Sequence, residues 1–234
     1  MSTRSPTRTD SQDPPRRHRR WPLPTSLALL LLAALAAAAA ALHSVGGRDD
    51  TTSFTAAGAR ELVVTVHAGH IELVRSPDGR VHVTTIRRWS LWAPTARHTE
   101  AGGVLTLTGD CPPLGSLGIT RCAVDQRVSV PAGTSIRVTA NTGNLTAIDL
   151  AVVSFEAQAS RGSISASFVR PPDRTLVRLD AGSVRLTVPA TSYAVDATVP
   201  AHAGHLTVEV PADPAAPRHI SAHISRGDLQ ILRR

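Results

Sequence analysis

Centred on glycine, the chain carries one recurring pattern: apolar side chains at minus seven, minus five, minus three, plus two and plus four. Gly69 is flanked in this way by Leu62, Val64, Val66, Ile71 and Leu73; Gly143 by Ile136, Val138, Ala140, Leu145 and Ala147; Gly162 by Phe155, Ala157, Ala159, Ile164 and Ala166. The series continues with Gly182 (Thr175, Val177, Leu179, Val184, Leu186), Gly204 (Ala197, Val199, Ala201, Leu206, Val208) and Gly227 (Ile220, Ala222, Ile224, Leu229, Ile231). Thr175 is the one position that is not apolar. Alternation of period two on both sides of a turn predicts two strands with one face inward. Intervening residues such as Arg137, Thr139, Glu156, Gln158, Arg178 and Gln230 are polar, with Val63, Leu176 and Pro200 as exceptions.

The turns read Asn141-Thr142-Gly143-Asn144, Ser160-Arg161-Gly162-Ser163, Asp180-Ala181-Gly182-Ser183 and Ser225-Arg226-Gly227-Asp228. Short polar side chains bond local backbone, and glycine adopts the positive φ that a sharp reversal needs. The last five glycines are spaced by 19, 20, 22 and 23 residues. Such near-constant rungs favour an all-β, β-solenoid-like domain, closed around a single apolar core, in which each turn stacks on the one before. A sandwich of hairpins shows the same alternation, so strand order stays open. Between the first two motifs, Val81-Val83-Thr85, Val104 to Leu107 and Gln126 to Val130 suggest three more strands.

An apolar run of a different kind precedes the repeats. Arg16, Arg17, His18, Arg19 and Arg20 stand before Trp21, after which no Asp, Glu, Lys or Arg occurs until Arg48. Basic then apolar is the order of an export signal. Residues 21–42 are enough, at about 1.5 Å per residue, to cross a hydrocarbon core about 30 Å thick. The expected organisation is a basic cytoplasmic tail (1–20), a transmembrane anchor helix (21–43), a linker (44–52) and an extracytoplasmic β-repeat domain (53–234), with the N-terminus held inside by its positive charge. Cleavage near Ala39-Ala40-Ala41 is the rival; the length of the segment favours retention.

Charge and cysteine content follow from this placement. The formal net charge is +7, but six of the arginines lie in residues 1–20, and every basic residue of the chain is Arg. The remainder is scattered, which argues against nucleic acid as a partner. Cys111 and Cys122, the only cysteines, are eleven positions apart in a Pro/Gly-rich stretch. Outside the cell they are expected to form a disulfide, worth about 3 kcal/mol in the chain-entropy account.

The segment Asp110-Cys111-Pro112, Cys122-Ala123-Val124-Asp125, then Val128-Ser129-Val130-Pro131-Ala132-Gly133-Thr134 and the serial glycine turns together resemble the "putative adhesin" or Toast-rack-type β-strand-repeat domains of bacterial envelope proteins, a family of unknown function. The resemblance covers about residues 52 to 232. It implies a β-solenoid-like fold behind a single membrane helix, without established catalysis. This chain departs from it by carrying His in two turns.

Those turns, His67-Ala68-Gly69-His70 and His202-Ala203-Gly204-His205, would bring four imidazoles together around zinc if they were neighbours. The plainer reading makes each His a polar turn residue, and no metal or cofactor is expected. Arg87, Arg88, Trp89 and Trp92 form a candidate surface binding patch for carbohydrate or membrane, against the plainer reading that the tryptophans cover an end of the core. No nucleophile-base pair, phosphate loop or convergent pair of acids is apparent, so no catalytic residue is nominated. The expected role is non-catalytic: binding, adhesion, scaffolding or envelope sensing, with a cell-envelope glycan or another envelope protein as partner. The alternative is a β-helix enzyme acting on cell-wall or other polysaccharide, which would need two acids on one face.

Overall fold

A computed structural model describes residues 29–30, 32–38, 40, 47–56, 58–117 and 119–234. Residues 29–30, 32–38 and 40 are helical; the rest of the expected anchor, and the basic tail, lie outside the described residues. Among the described residues no helix is long and apolar enough to cross a membrane. The chain divides into two compact units, Met1–Ala39 and Ala40–Arg234, and the second holds all the β structure described below.

That unit is mostly β. Its strands are β1 (Arg48–Ala56), β2 (Glu61–Arg75), β3 (Val81–Trp89), β4 (Thr95–Ala101), β5 (Val104–Asp110), β6 (Cys122–Val130), β7 (Ser135–Leu150), β8 (Ser154–Phe168), β9 (Arg174–Val188), β10 (Ala194–Thr198), β11 (Leu206–Val208) and β12 (His219–Arg233). They form one open sheet in the order β1-β3-β6-β2-β7-β8-β9-β12-β10, with β5 and β4 beside β2 and β11 beside β12.

From β2 through β7, β8 and β9 to β12 every neighbour is parallel, with glycine opposite glycine and one register shift, between Ala147 and Leu150 of β7 against β8. Hairpins would have been antiparallel. A straight 15-residue strand would be about 50 Å long, whereas the link from β8 to β9 is five residues, with a reach of about 17 Å. Each strand must therefore fold back on itself, and the ladder shows where. Pairing lapses two residues before each glycine, at His67/Asn141, Asn141/Ser160, Ser160/Asp180 and Asp180/Ser225. Both arms of each bent strand then turn their alternate side chains onto one core cluster. Leu62, Val138, Ala157, Val177 and Ala222 on the first arms and Leu73, Leu186 and Leu229 on the second are fully buried.

The glycines are dictated by the stacking. A Cβ on Gly143, Gly162, Gly182 or Gly227 would lie 1.7 Å from the carbonyl oxygen of the glycine one rung before it. Their φ values, from 122° to 147°, also belong to the region that side chains avoid.

Three expectations change. The stack does not follow chain order, because β12 pairs directly with β9 and the Gly204 unit lies outside it. That unit is broken into two short strands, β10 and β11, and its Ala201, Leu206 and Val208 are exposed. Pro200 supplies the physical reason: it cannot donate to a ladder, so a rung that contains it belongs at an edge. The sheet, secondly, is open and not closed. Strand β1, thirdly, begins at Arg48, inside the stretch expected to be linker, and runs antiparallel to β3.

Candidate functional site

Beside β2 the rung is split. The first arm of β2 pairs in parallel with β5, and the second arm with β6. Where the next glycine of the column would stand, the backbone of Val124 stands instead, so that a Cβ on Gly69 would meet its carbonyl oxygen at 2.1 Å. Strands β5 and β6 are thus the two arms of one rung whose bend has been replaced by an excursion, residues 111–121, that includes the one-turn helix Pro113–Ser116. The disulfide Cys111–Cys122, Cα–Cα 5.9 Å, closes that excursion at its neck.

Beside the excursion lies a cleft of about 970 Å³. Arg48 of β1, Arg88 and Trp89 of β3, Arg121 of the excursion and Arg161 of β8 line it, together with His67 of β2. Arg48, Trp89 and Cys122 are register partners on three adjacent strands, which brings these distant segments side by side. Arg88 pairs with Asp125, whose Oδ1 also accepts the His70 backbone N–H at 2.8 Å. Arg48, Arg121 and Arg161 have no ion-pair partner among the described residues. Asp49 is the one carboxylate in the lining among the described residues. The cleft is positively charged and flanked by an aromatic ring.

Of the sequence-selected patch, Arg88 and Trp89 fall in this cleft. Arg87 pairs with Asp50 and is not part of the lining. Trp92, 51% exposed, stands on the β3–β4 loop nearby. That loop is tied to the excursion by two bonds: the Ser90 N–H donates to the Arg121 carbonyl at 3.1 Å and the Arg121 N–H to Ser90 Oγ at 3.2 Å. Arg48, Arg121 and Arg161 were not anticipated from sequence. Arg161 sits directly before a motif glycine, which is the one signal that could have singled it out.

The histidine turns are not brought together. Gly69 and Gly204 are at opposite ends of the glycine column, five rung steps of about 4.8 Å apart, so His67 and His70 lie about 24 Å from His202 and His205. No group of three or more metal-ligating side chains forms among the described residues. The turn positions serve the stack instead. Asn144 Oδ1 accepts the Ser163 N–H at 3.1 Å, and Asp228 Oδ1 accepts the His205 N–H at 3.0 Å, each reaching the residue one rung on. That N–H and the His205 imidazole hold the Asp228 carboxyl below the usual carboxylate range. A turn acid committed to its neighbour's backbone is a structural group.

No family model matches the chain, and no curated protein matches it. Solved structures do. A "putative cell adhesion protein" from Clostridium sporogenes ATCC 15579 aligns over 81% of this chain and all of its own at 13% identity, with a TM-score of 0.58. A "putative adhesin" from Bacteroides fragilis NCTC 9343 aligns over 80% at 12% identity and TM-score 0.35, and a "Putative lipid binding protein" from Parabacteroides distasonis ATCC 8503 over 80% at 11% and 0.28. At these identities the first shares the fold.

Proposed function

We propose that this chain is a single-pass envelope protein, N-terminus cytoplasmic, whose extracytoplasmic β-solenoid binds an anionic component of the cell envelope and does not transform it. The cleft beside the split rung carries this reading. It gathers Arg48, Arg121 and Arg161, which have no ion-pair partner among the described residues, beside Trp89. Guanidinium pairs with carboxylate and phosphate alike, and an aromatic rim adds stacking area. Among the described residues its lining holds a single carboxylate, Asp49, where glycoside hydrolysis needs two acids in concert. The adhesion label of the Clostridium neighbour agrees with a binding role, as does a membrane anchor of the expected length.

Retention of the full chain on isolated cell envelopes tests the proposal. Charge reversal at Arg121 or Arg161 (R121E, R161E) is expected to weaken retention about tenfold, and raised salt to weaken it for the unaltered chain. Release of soluble glycan fragments by the unaltered chain would overturn it.

A further inference from the structure

Four apolar side chains are exposed at one end of the described β unit: Leu91 (37%) and Trp92 (51%) on the β3–β4 loop, and Leu117 (72%) and Ile119 (43%) on the disulfide-closed excursion. The Ser90–Arg121 bonds hold the two loops together, one residue from Leu91 and two from Trp92 and Ile119. Elsewhere on the excursion Leu114 is also exposed, at 38%. Leaving this much apolar surface in water is unfavourable, and an apolar rim beside a basic cleft has the composition of an interfacial membrane contact.

Its position in the chain identifies the occupant. Gly47 lines the same cleft as Leu117 and Trp89, and the Arg121 guanidinium lies 3.8 Å from where a Gly47 Cβ would be. The apolar run of the sequence ends at residue 42, and residues 43–46 reach at most about 14 Å. A chain anchored by that run carries Gly47, and the rim beside it, into the headgroup zone of its own bilayer.

We infer that this rim docks on the outer leaflet that holds the anchor, with Trp92, Leu117 and Ile119 at the headgroup–acyl boundary and Arg48 and Arg121 against anionic lipid phosphates. The inference rests on the anchored reading above and names the partner of the basic cleft. With the rim on the membrane, the Leu206 end of the stack, at the opposite end of the sheet, is held off it.

The test uses the full chain reconstituted in vesicles of phosphatidylcholine with phosphatidylglycerol, their acyl chains brominated to quench tryptophan. Three single-tryptophan forms are compared: one keeping Trp21 (W89F, W92F), one keeping Trp92 (W21F, W89F), and one with all three replaced by Phe and Leu206→Trp added at the far end. Quenching of Trp92 by roughly half or more, reduced by omitting phosphatidylglycerol and abolished by L117D with I119D, is expected, with the far-end reporter unquenched. Quenching of Trp21 without quenching of Trp92 overturns the docking and leaves the anchor standing. An unquenched Trp21 overturns the anchored reading, and the docking with it. Unchanged far-ultraviolet circular dichroism of the L117D/I119D form separates lost docking from lost fold.

Discussion

At the scale of single residues the stack is decided by what glycine lacks. Gly162 has φ 131°, and the site a Cβ would take is filled by the Gly143 carbonyl oxygen, 1.7 Å away. Relief would require the rungs to part. Gly133 has φ 82° with open space around the same site, so alanine there meets backbone strain alone. Urea unfolding of the two variants is expected to show a loss of about 1 kcal/mol for G133A and of roughly 3 kcal/mol or more for G162A. Thr175 is the converse case. The lone polar member of the inward ladder is fully buried, and its hydroxyl has no hydrogen-bond partner among the described residues. Valine fills nearly the same volume without an orphaned hydroxyl, so T175V is expected to raise unfolding stability by about 1 kcal/mol; a loss of stability would show that the hydroxyl is satisfied.

At the scale of elements, strands that carry the glycine pattern were legible because their burial writes itself into alternate positions. Strands β3, β5 and β6 were legible for the same reason. Strands β1 and β4 were not. Arg48-Asp49-Asp50-Thr51-Thr52-Ser53 and Thr95-Ala96-Arg97-His98-Thr99-Glu100 put polar side chains on both faces, and they are strands because β3 and β5 offer them an edge to pair with. Their charge blunts the outer edges against further pairing. The order of β10–β11 and β12 was hidden too, since an inward set of five apolar residues reads alike in any rung; Pro200 was the available clue. Interior placement of β12 has a measurable consequence. Ile224 is 3% exposed and Leu206 45%. A carboxylate in place of Ile224 is expected to lower stability by at least about 3 kcal/mol, and one in place of Leu206 by less than about 1 kcal/mol, read from thermal or urea melts. Equal costs would restore a stack in chain order.

At the scale of the whole molecule, the cleft was the least legible feature because it is assembled from β1, β3, the excursion and β8, segments separated by up to more than a hundred residues. Arg88 and Trp89 were visible as unusual residues; what lies around them was not, because register alone sets Arg48 opposite Trp89 and Trp89 opposite Cys122. The histidine turns failed as a metal site for the same reason in reverse, being alike in sequence and remote along the column. The ladder thus separates chemistry that the chain places close and joins chemistry that it places far apart.

The displaced order of the last rungs also bears on how the protein is made. Strands β10 and β11 precede β12 in the chain, yet among the described residues β12 is the only strand either of them pairs with. As synthesis proceeds, β7, β8 and β9 each find a partner strand already made, while this pair emerges before the strand it lies against. Past β9 the stack cannot grow in chain order: β12 lies between β9 and this pair, so β10 and β11 complete their pairing only once β12 has emerged.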